Sequence, residues 1–185
     1  KRVTEGTIEN QILLDYMIDQ FSKTKTTKMK PVILCILRMS VYQLFYMDSV
    51  PSSAVCNEAV KLAERKHFHQ LKGFVNGVLR NIDRNREQIT YPDAKRSPIQ
   101  YLSVRYSVPE WIVLGWNQEY GFQTTEKMLQ SFLENRPTTI RCIHSRISPE
   151  ELEQQFSEEH VTAIRLQYPD GAYSISGYDY LGRLS

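Results

Sequence analysis

Cysteine is scarce in this chain of 185 residues: Cys35, Cys56 and Cys142 are far apart and odd in number. No pair has the close spacing of zinc ligands or of a redox motif, so reduced thiols in a cytoplasmic protein are expected. No signal peptide opens the sequence. Long hydrophobic runs are missing too. The stretch 32–47 is interrupted by Arg38, Ser40 and Gln43 and is short against the roughly 20 apolar residues of a bilayer span. No membrane partner is expected. No glycine-rich loop follows a strand pattern, so nothing here reads as a nucleotide cradle. His67 and His69 lack clustered Cys, Asp or Glu to complete a metal site, and none is expected. Cys142 and His144 share one face of a strand pattern without an activating group, and no catalytic residue is expected in this segment.

What is present reads as globular. Hydrophobic residues make up 41% and charged residues 24%, the ordinary balance of a chain with a packed core. The formal charge of +2 hides an asymmetry. Residues 1–96 hold 16 Lys/Arg against 10 Asp/Glu, and residues 97–185 hold 7 against 11. A polyanion would meet the first half, although a merely solvated surface explains charge alone equally well.

Along the chain, 4–22 reads as one helix with Ile8, Ile12, Leu13, Tyr16, Met17 and Phe21 as its apolar stripe. A polar break with Lys23, Lys25, Lys28 and Lys30 follows, by default a solvated turn. Pro31 suits a first helical turn. Residues 32–47 are apolar nearly all round, the mark of a central helix, so Arg38 must reach a rim or a partner. Residues 89–97 form a polar connector, taken as the boundary between domains at 1–96 and 97–185. Short helices at 109–120 and 125–135 come next, the first ending at Gly121. Then 138–144 alternates as a strand, and Ser148, Pro149 and Glu151 form a capping box opening a helix to about Phe156. Strands at 161–168 and 173–176 flank a turn at Pro169, Asp170 and Gly171. The expected fold is α plus α+β: an all-α bundle, incomplete at its N-terminus, then a small helical linker and a partial ferredoxin-like α+β domain.

The stretch 51–84 organises the bundle. One helix opens after Pro51 with Ser52 or Ser53 as N-cap and puts Val55, Ala59, Leu62 and Ala63 on one face. A second puts Phe74, Val75, Val78, Leu79 and Ile82 inward, and Lys72, Asn76, Arg80 and Arg84 repeat along the opposite face. Gly73 and Gly77 each cost about 1 kcal/mol relative to Ala inside a helix. Close approach of a neighbouring helix is the expected reason. With Lys61, Arg65, Lys66 and Arg86, the row concentrates cations on two adjacent helices, as phosphate binding requires. Tyr42, Tyr46 and His67 are candidates for stacking on unpaired bases, although packing within the bundle is the simpler role for the two tyrosines.

The segments KMKPVILCILRMSVYQLFYMDSVPSSAVCNEAVKLAERK and LKGFVNGVLRNIDR resemble the NusB-like N-terminal domain of the RsmB (Sun/Fmu) family. YLSVRYSVPEWIV and RPTTIR are similar to that family's linker and the start of its RNA-binding region. The resemblance implies a bacterial S-adenosylmethionine-dependent enzyme that makes 5-methylcytosine in 16S ribosomal RNA. There a thiolate attacks C6 of cytosine, C5 is methylated, and elimination follows. The family's catalytic domain, with its S-adenosylmethionine loops and two motif cysteines, would lie beyond Ser185. Cys35, Cys56 and Cys142 match neither motif. Lys1 in place of Met, with a helix starting at once, also points to a longer parent.

The resemblance implies that this segment docks and orients RNA, and the basic row makes Lys61, Arg65, Lys66, Lys72, Asn76, Arg80, Arg84 and Arg86 the candidate contacts. Its partners would be 16S RNA and the parent's own methyltransferase domain, with no DNA and no cofactor in this segment. The alternative is a NusB-type transcription antitermination module, without catalysis, that binds boxA-like RNA with a ribosomal protein. A third reading docks the basic face of the bundle on the acidic half of the same chain.

Overall fold

The structure, a computed structural model, describes residues 1–134 and 137–178. Its centre is the most apolar helix. Among the described residues the α-helices and strands are, in chain order, α1 (Arg2–Glu9), α2 (Gln11–Phe21), α3 (Pro31–Tyr46), α4 (Ser52–Arg65), α5 (Lys72–Arg84), α6 (Pro98–Tyr106), α7 (Glu110–Leu133), β1 (Thr138–Arg141), α8 (Pro149–Glu158), β2 (Thr162–Arg165) and β3 (Ala172–Ser176). Pro31 occupies the first turn of α3, where its missing amide hydrogen leaves nothing unpaired. Ile33, Ile36, Leu37, Val41 and Leu44 are buried along it, and α1, α2, α4 and α5 all pack against it. Arg38 finds the partner its position demands. Its Nε and Nη2 donate to Asp15 Oδ1 and Oδ2 at 2.6 and 2.5 Å, a bidentate fork that offsets the cost of drawing the charge inward.

The helix expected over 4–22 is two helices. Asn10 separates α1 from α2 with φ −103° and ψ 19°, and its side-chain amide donates to Gly6 O at 2.8 Å. Such local bonding competes with the helical ladder. The break rotates the apolar stripe: Leu13, Leu14, Met17 and Ile18 are buried, whereas Ile8 is exposed.

The connector at 89–97 is polar as expected, yet the chain divides into compact units later, into Lys1–Leu133 and Glu134–Ser185. The physical reason lies at the end of α6. Ile12 is in the first turn of α2, where amides have no helical acceptor. Its N–H donates to Ser107 Oγ at 2.9 Å, and Ser107 takes the left-handed backbone conformation that ends α6. Thus α6 completes α2 across 95 residues of sequence. The helix α7 is bent at Gly121, whose φ of 75° breaks the helical path, so the two helices read at 109–120 and 125–135 are its two arms. Trp116 and Phe132 meet across the bend with ring centroids 5.9 Å apart. Asn135, the expected end, lies outside the described residues.

In the second unit, β1 and β2 both pair antiparallel with β3, giving the order β1-β3-β2. Thr138 faces Ile175 and Thr162 faces Ser176. Strand, helix, strand, strand in this order is the first part of a ferredoxin-like arrangement. The Ser148 capping box is present in both directions: Glu151 N–H donates to Ser148 Oγ at 3.2 Å, and Ser148 N–H donates to Glu151 Oε2 at 3.0 Å. Phe156, Tyr173 and Ile175 close the small core. The first strand ends at Arg141, short of Cys142 and His144.

Candidate nucleic-acid interface

Helices α4 and α5 position the cationic residues. Val55, Cys56, Ala59 and Ala63 bury one side of α4, and Val75, Val78, Leu79 and Ile82 bury one side of α5. Periodicity then turns the remaining side of each helix to solvent. Lys61, Arg65, Lys66, Lys72, Arg80 and Arg84 are all exposed, and Asn76 is half-buried.

The cations differ in how far they are already engaged. Lys61 Nζ donates to Glu58 Oε1 at 2.8 Å and Lys72 Nζ to Glu64 Oε1 at 3.1 Å. The Lys61 bond, with Arg65 adding a smaller effect, holds the Glu58 carboxyl below the usual range. Both pairs are solvent-exposed, and such pairs are screened and exchange partners readily. Arg80 Nε donates to Asn76 Oδ1 at 3.1 Å, which orients the guanidinium along the row. The side chains of Arg65, Lys66 and Arg84 make no hydrogen bond or ion pair among the described residues.

Arg86 is different. Its Nη1 donates to Leu44 O at 2.7 Å, its Nη2 to Ser52 Oγ at 2.9 Å, and Nε and Nη2 both reach Asp83 Oδ1. The guanidinium also stands 5.4 Å from the centroid of the Phe45 ring. It clamps the ends of α3 and α5 to the start of α4. Ser52 and Ser53, expected as N-cap candidates, already lie inside α4: the N-cap is Pro51, which has no capping side chain, and the Ser52 hydroxyl accepts from Arg86 instead. The sequence had no signal for this pairing, 34 residues apart.

The two glycines of α5 are not notches for a neighbouring helix. A Cβ built on Gly73 or Gly77 meets no atom within 4 Å. This corrects the expectation of close helix approach: the face of α5 that meets the bundle is Val75, Val78, Leu79 and Ile82, and both glycines lie beside it. They border an open cavity of about 420 Å³ whose walls include Phe21, Lys23, Phe74 and Val78.

Elsewhere, His67 and His69 stand edge to face, 6.5 Å apart, where α4 ends, His67 in the left-handed region at φ 64°. No group of three His, Cys, Asp or Glu able to hold a metal occurs among the described residues. Cys142 is buried and donates Sγ–H to Ile147 O, while His144 is exposed. Cys35 is exposed on α3. Among the described residues no helix is long and apolar enough to cross a membrane.

Comparison with known proteins places these elements. Residues 1–84 match the model of the NusB family. The chain is 36% identical over 156 residues to the probable ribosomal RNA small subunit methyltransferase B of Bacillus subtilis, covering 84% of this chain and 34% of the relative. The protein of the same description from Synechocystis is 31% identical over 162 residues, covering 87% of this chain and 36% of the relative. The transcription antitermination protein NusB of Bacillus velezensis is 39% identical over 83 residues, 44% of this chain and 64% of that one. The crystal structure of PH0851 superposes with a TM-score of 0.72 at 17% identity, covering 98% of this chain and 40% of that chain, which establishes the fold. The chain thus spans about a third of the length of the two methyltransferase B relatives.

Proposed function

We propose that this chain, whose residues 1–84 are a NusB domain, is the RNA-docking portion of an S-adenosylmethionine-dependent 16S rRNA cytosine-5 methyltransferase. One observation carries the reading. Similarity to the two methyltransferase B relatives runs on through 84% and 87% of the chain, whereas the NusB relatives cover only 42% to 48% of it. The region past the bundle is therefore shared with methyltransferases.

In this reading the α4–α5 face holds the RNA phosphates. Arg65, Lys66 and Arg84 engage them directly, and Lys61, Lys72 and Arg80 follow by exchanging their exposed partners. Asn76 aims Arg80, and Arg86 keeps the face in shape from behind. Docking places one cytosine at a distant catalytic domain, a positioning contribution to rate. The thiolate and the methyl donor belong to that domain. The described residues do not fit S-adenosylmethionine: the sheet is three short antiparallel strands, and Gly171 and Gly177 lie at the two ends of β3, not in a loop leading from a strand into a helix. The setting is cytoplasmic, and the partners are 16S RNA and the parent's own catalytic domain.

The experiment is a double charge reversal, Arg80→Glu with Arg84→Glu. Affinity for 16S RNA fragments should fall on the order of tenfold or more at low salt. Unchanged affinity overturns this face as the docking surface. The 39% identity to an antitermination protein favours a second reading, a NusB-type module without catalysis. It predicts preferential capture of boxA-like RNA together with a ribosomal protein, where the first reading predicts preference for 16S fragments.

A further inference from the structure

At the end of the bundle where α3 stops, four side chains from four segments gather. Tyr46 closes α3 with its ring stacked on Tyr42, centroids 5.0 Å apart and planes 20° off parallel. Arg2, at the start of α1, donates Nη2 to Tyr46 O at 2.8 Å. Tyr91 comes from the 89–97 connector and lies under Arg105 of α6, whose Cζ is 5.5 Å from the ring centroid. Tyr91 and Arg105 also act on the Tyr46 phenol. Burial raises its pKa most, Tyr91 adds to the rise, and Arg105 opposes it, so the three groups lie within electrostatic reach of one another.

The cluster is open to solvent. Tyr46 is 36% exposed and Tyr91 38%, and both arginines are exposed. Among the described residues neither Arg2 nor Arg105 has an ion pair. The fold therefore assembles two aromatic faces and two uncompensated guanidinium groups at one place. Arg86 stands over Phe45, the residue before Tyr46, so the C-terminal end of α5 reaches the same end of the bundle.

We propose that Tyr46, Tyr91, Arg105 and Arg2 form a stacking site for an unpaired base of single-stranded RNA, separate from the phosphate-holding face of α4 and α5. Every base offers a π-face to an aromatic ring or a guanidinium plane, so such a site is tolerant of sequence. Arg105, and Arg2 through the nitrogens not donating to Tyr46 O, can also reach the oxygens of an adjoining phosphate. A base inside a duplex is already stacked and cannot enter. The site thus selects for loops and open strands, a selectivity that a row of cations alone cannot supply. This inference rests on the RNA-docking reading above.

The test compares the full chain with Tyr91→Ala and Tyr91→Trp, both at an exposed connector position, on a single-stranded 16S fragment and on its perfect duplex. Tyr91→Ala should weaken binding to the single strand by roughly 5- to 150-fold, leave duplex binding unchanged, and keep the wild-type salt slope. Tyr91→Trp should restore the affinity. On the wild-type chain, ultraviolet cross-linking of the same single strand carrying 5-iodouridine should give adducts at Tyr46 or Tyr91. If Tyr91→Ala binds both RNAs like wild type and the adducts map elsewhere, the stacking site is refuted while docking through α4 and α5 stands. If the wild-type chain binds neither RNA, the docking reading fails and this inference falls with it.

Discussion

Gly6 of α1 lies against the ring of Tyr42 on α3 so closely that a Cβ added to Gly6 would overlap Cζ and Oη. This is the tight glycine of the bundle. Tyr42 is 7% exposed and stacked on Tyr46, so its ring has little room to move away.

The contrast with α5 gives the first prediction. Gly6→Ala gains about 1 kcal/mol of helix propensity but overpacks a buried ring, at a cost of about 1–3 kcal/mol. It should be neutral to destabilising by up to about 2 kcal/mol. Gly77→Ala meets open space and should stabilise by about 0.4–1 kcal/mol. Urea unfolding followed by fluorescence reads this unit, because Trp111 and Trp116 both lie in it. Equal effects at the two positions would contradict the packing described.

Arg84 and Arg86 are two residues apart and have opposite roles. Arg86→Ala removes three partners at once and should destabilise the bundle by about 1.5–3 kcal/mol. Arg84→Ala should change stability by less than about 0.5 kcal/mol. The same urea titration decides it, and a stability loss at Arg84 would show an unseen structural role.

Much of this was legible in advance, and most failures concern contacts distant in sequence. The apolar α3, the need of Arg38 for a rim or a partner, the Ser148 capping box and the strand–helix–strand–strand tail all depend on spacing within a short window. Gly73 and Gly77 were misjudged because what decides them lies outside their own window. The break at Asn10 is local, a side-chain bond back to Gly6 four residues earlier, but apolar periodicity alone does not register it. Ser52 is taken by Arg86, and the glycines of α5 are explained by what α5 does not touch. The later unit boundary has the same origin, since α6 is tied to α2 through Ser107 and Ile12. The candidate cations were found by periodicity, but which of them are engaged was not visible without the carboxylates.

Tyr173 supplies a pH test for the second unit. Burial first, and its bond to Glu153 Oε1 at 2.8 Å second, push its phenol up to about 12. A phenol whose folded pKa is raised holds its proton more tightly in the native state. Its contribution is complete below the unfolded value near 10 and is lost as pH rises from about 10 to 12. Stability of this unit, read by amide exchange on β3, should therefore fall across that interval. Tyr173→Phe should flatten the fall, and an unchanged profile would show that another group carries it.

The most direct test of RNA docking through α4 and α5 is the salt dependence of binding to a 16S fragment, for wild type and for Arg65→Gln, Lys66→Gln and Arg84→Gln. Each substitution should weaken binding to all RNA sequences alike and lower the slope of log affinity against log salt by about 1. Slopes identical to wild type in all three variants would contradict the account.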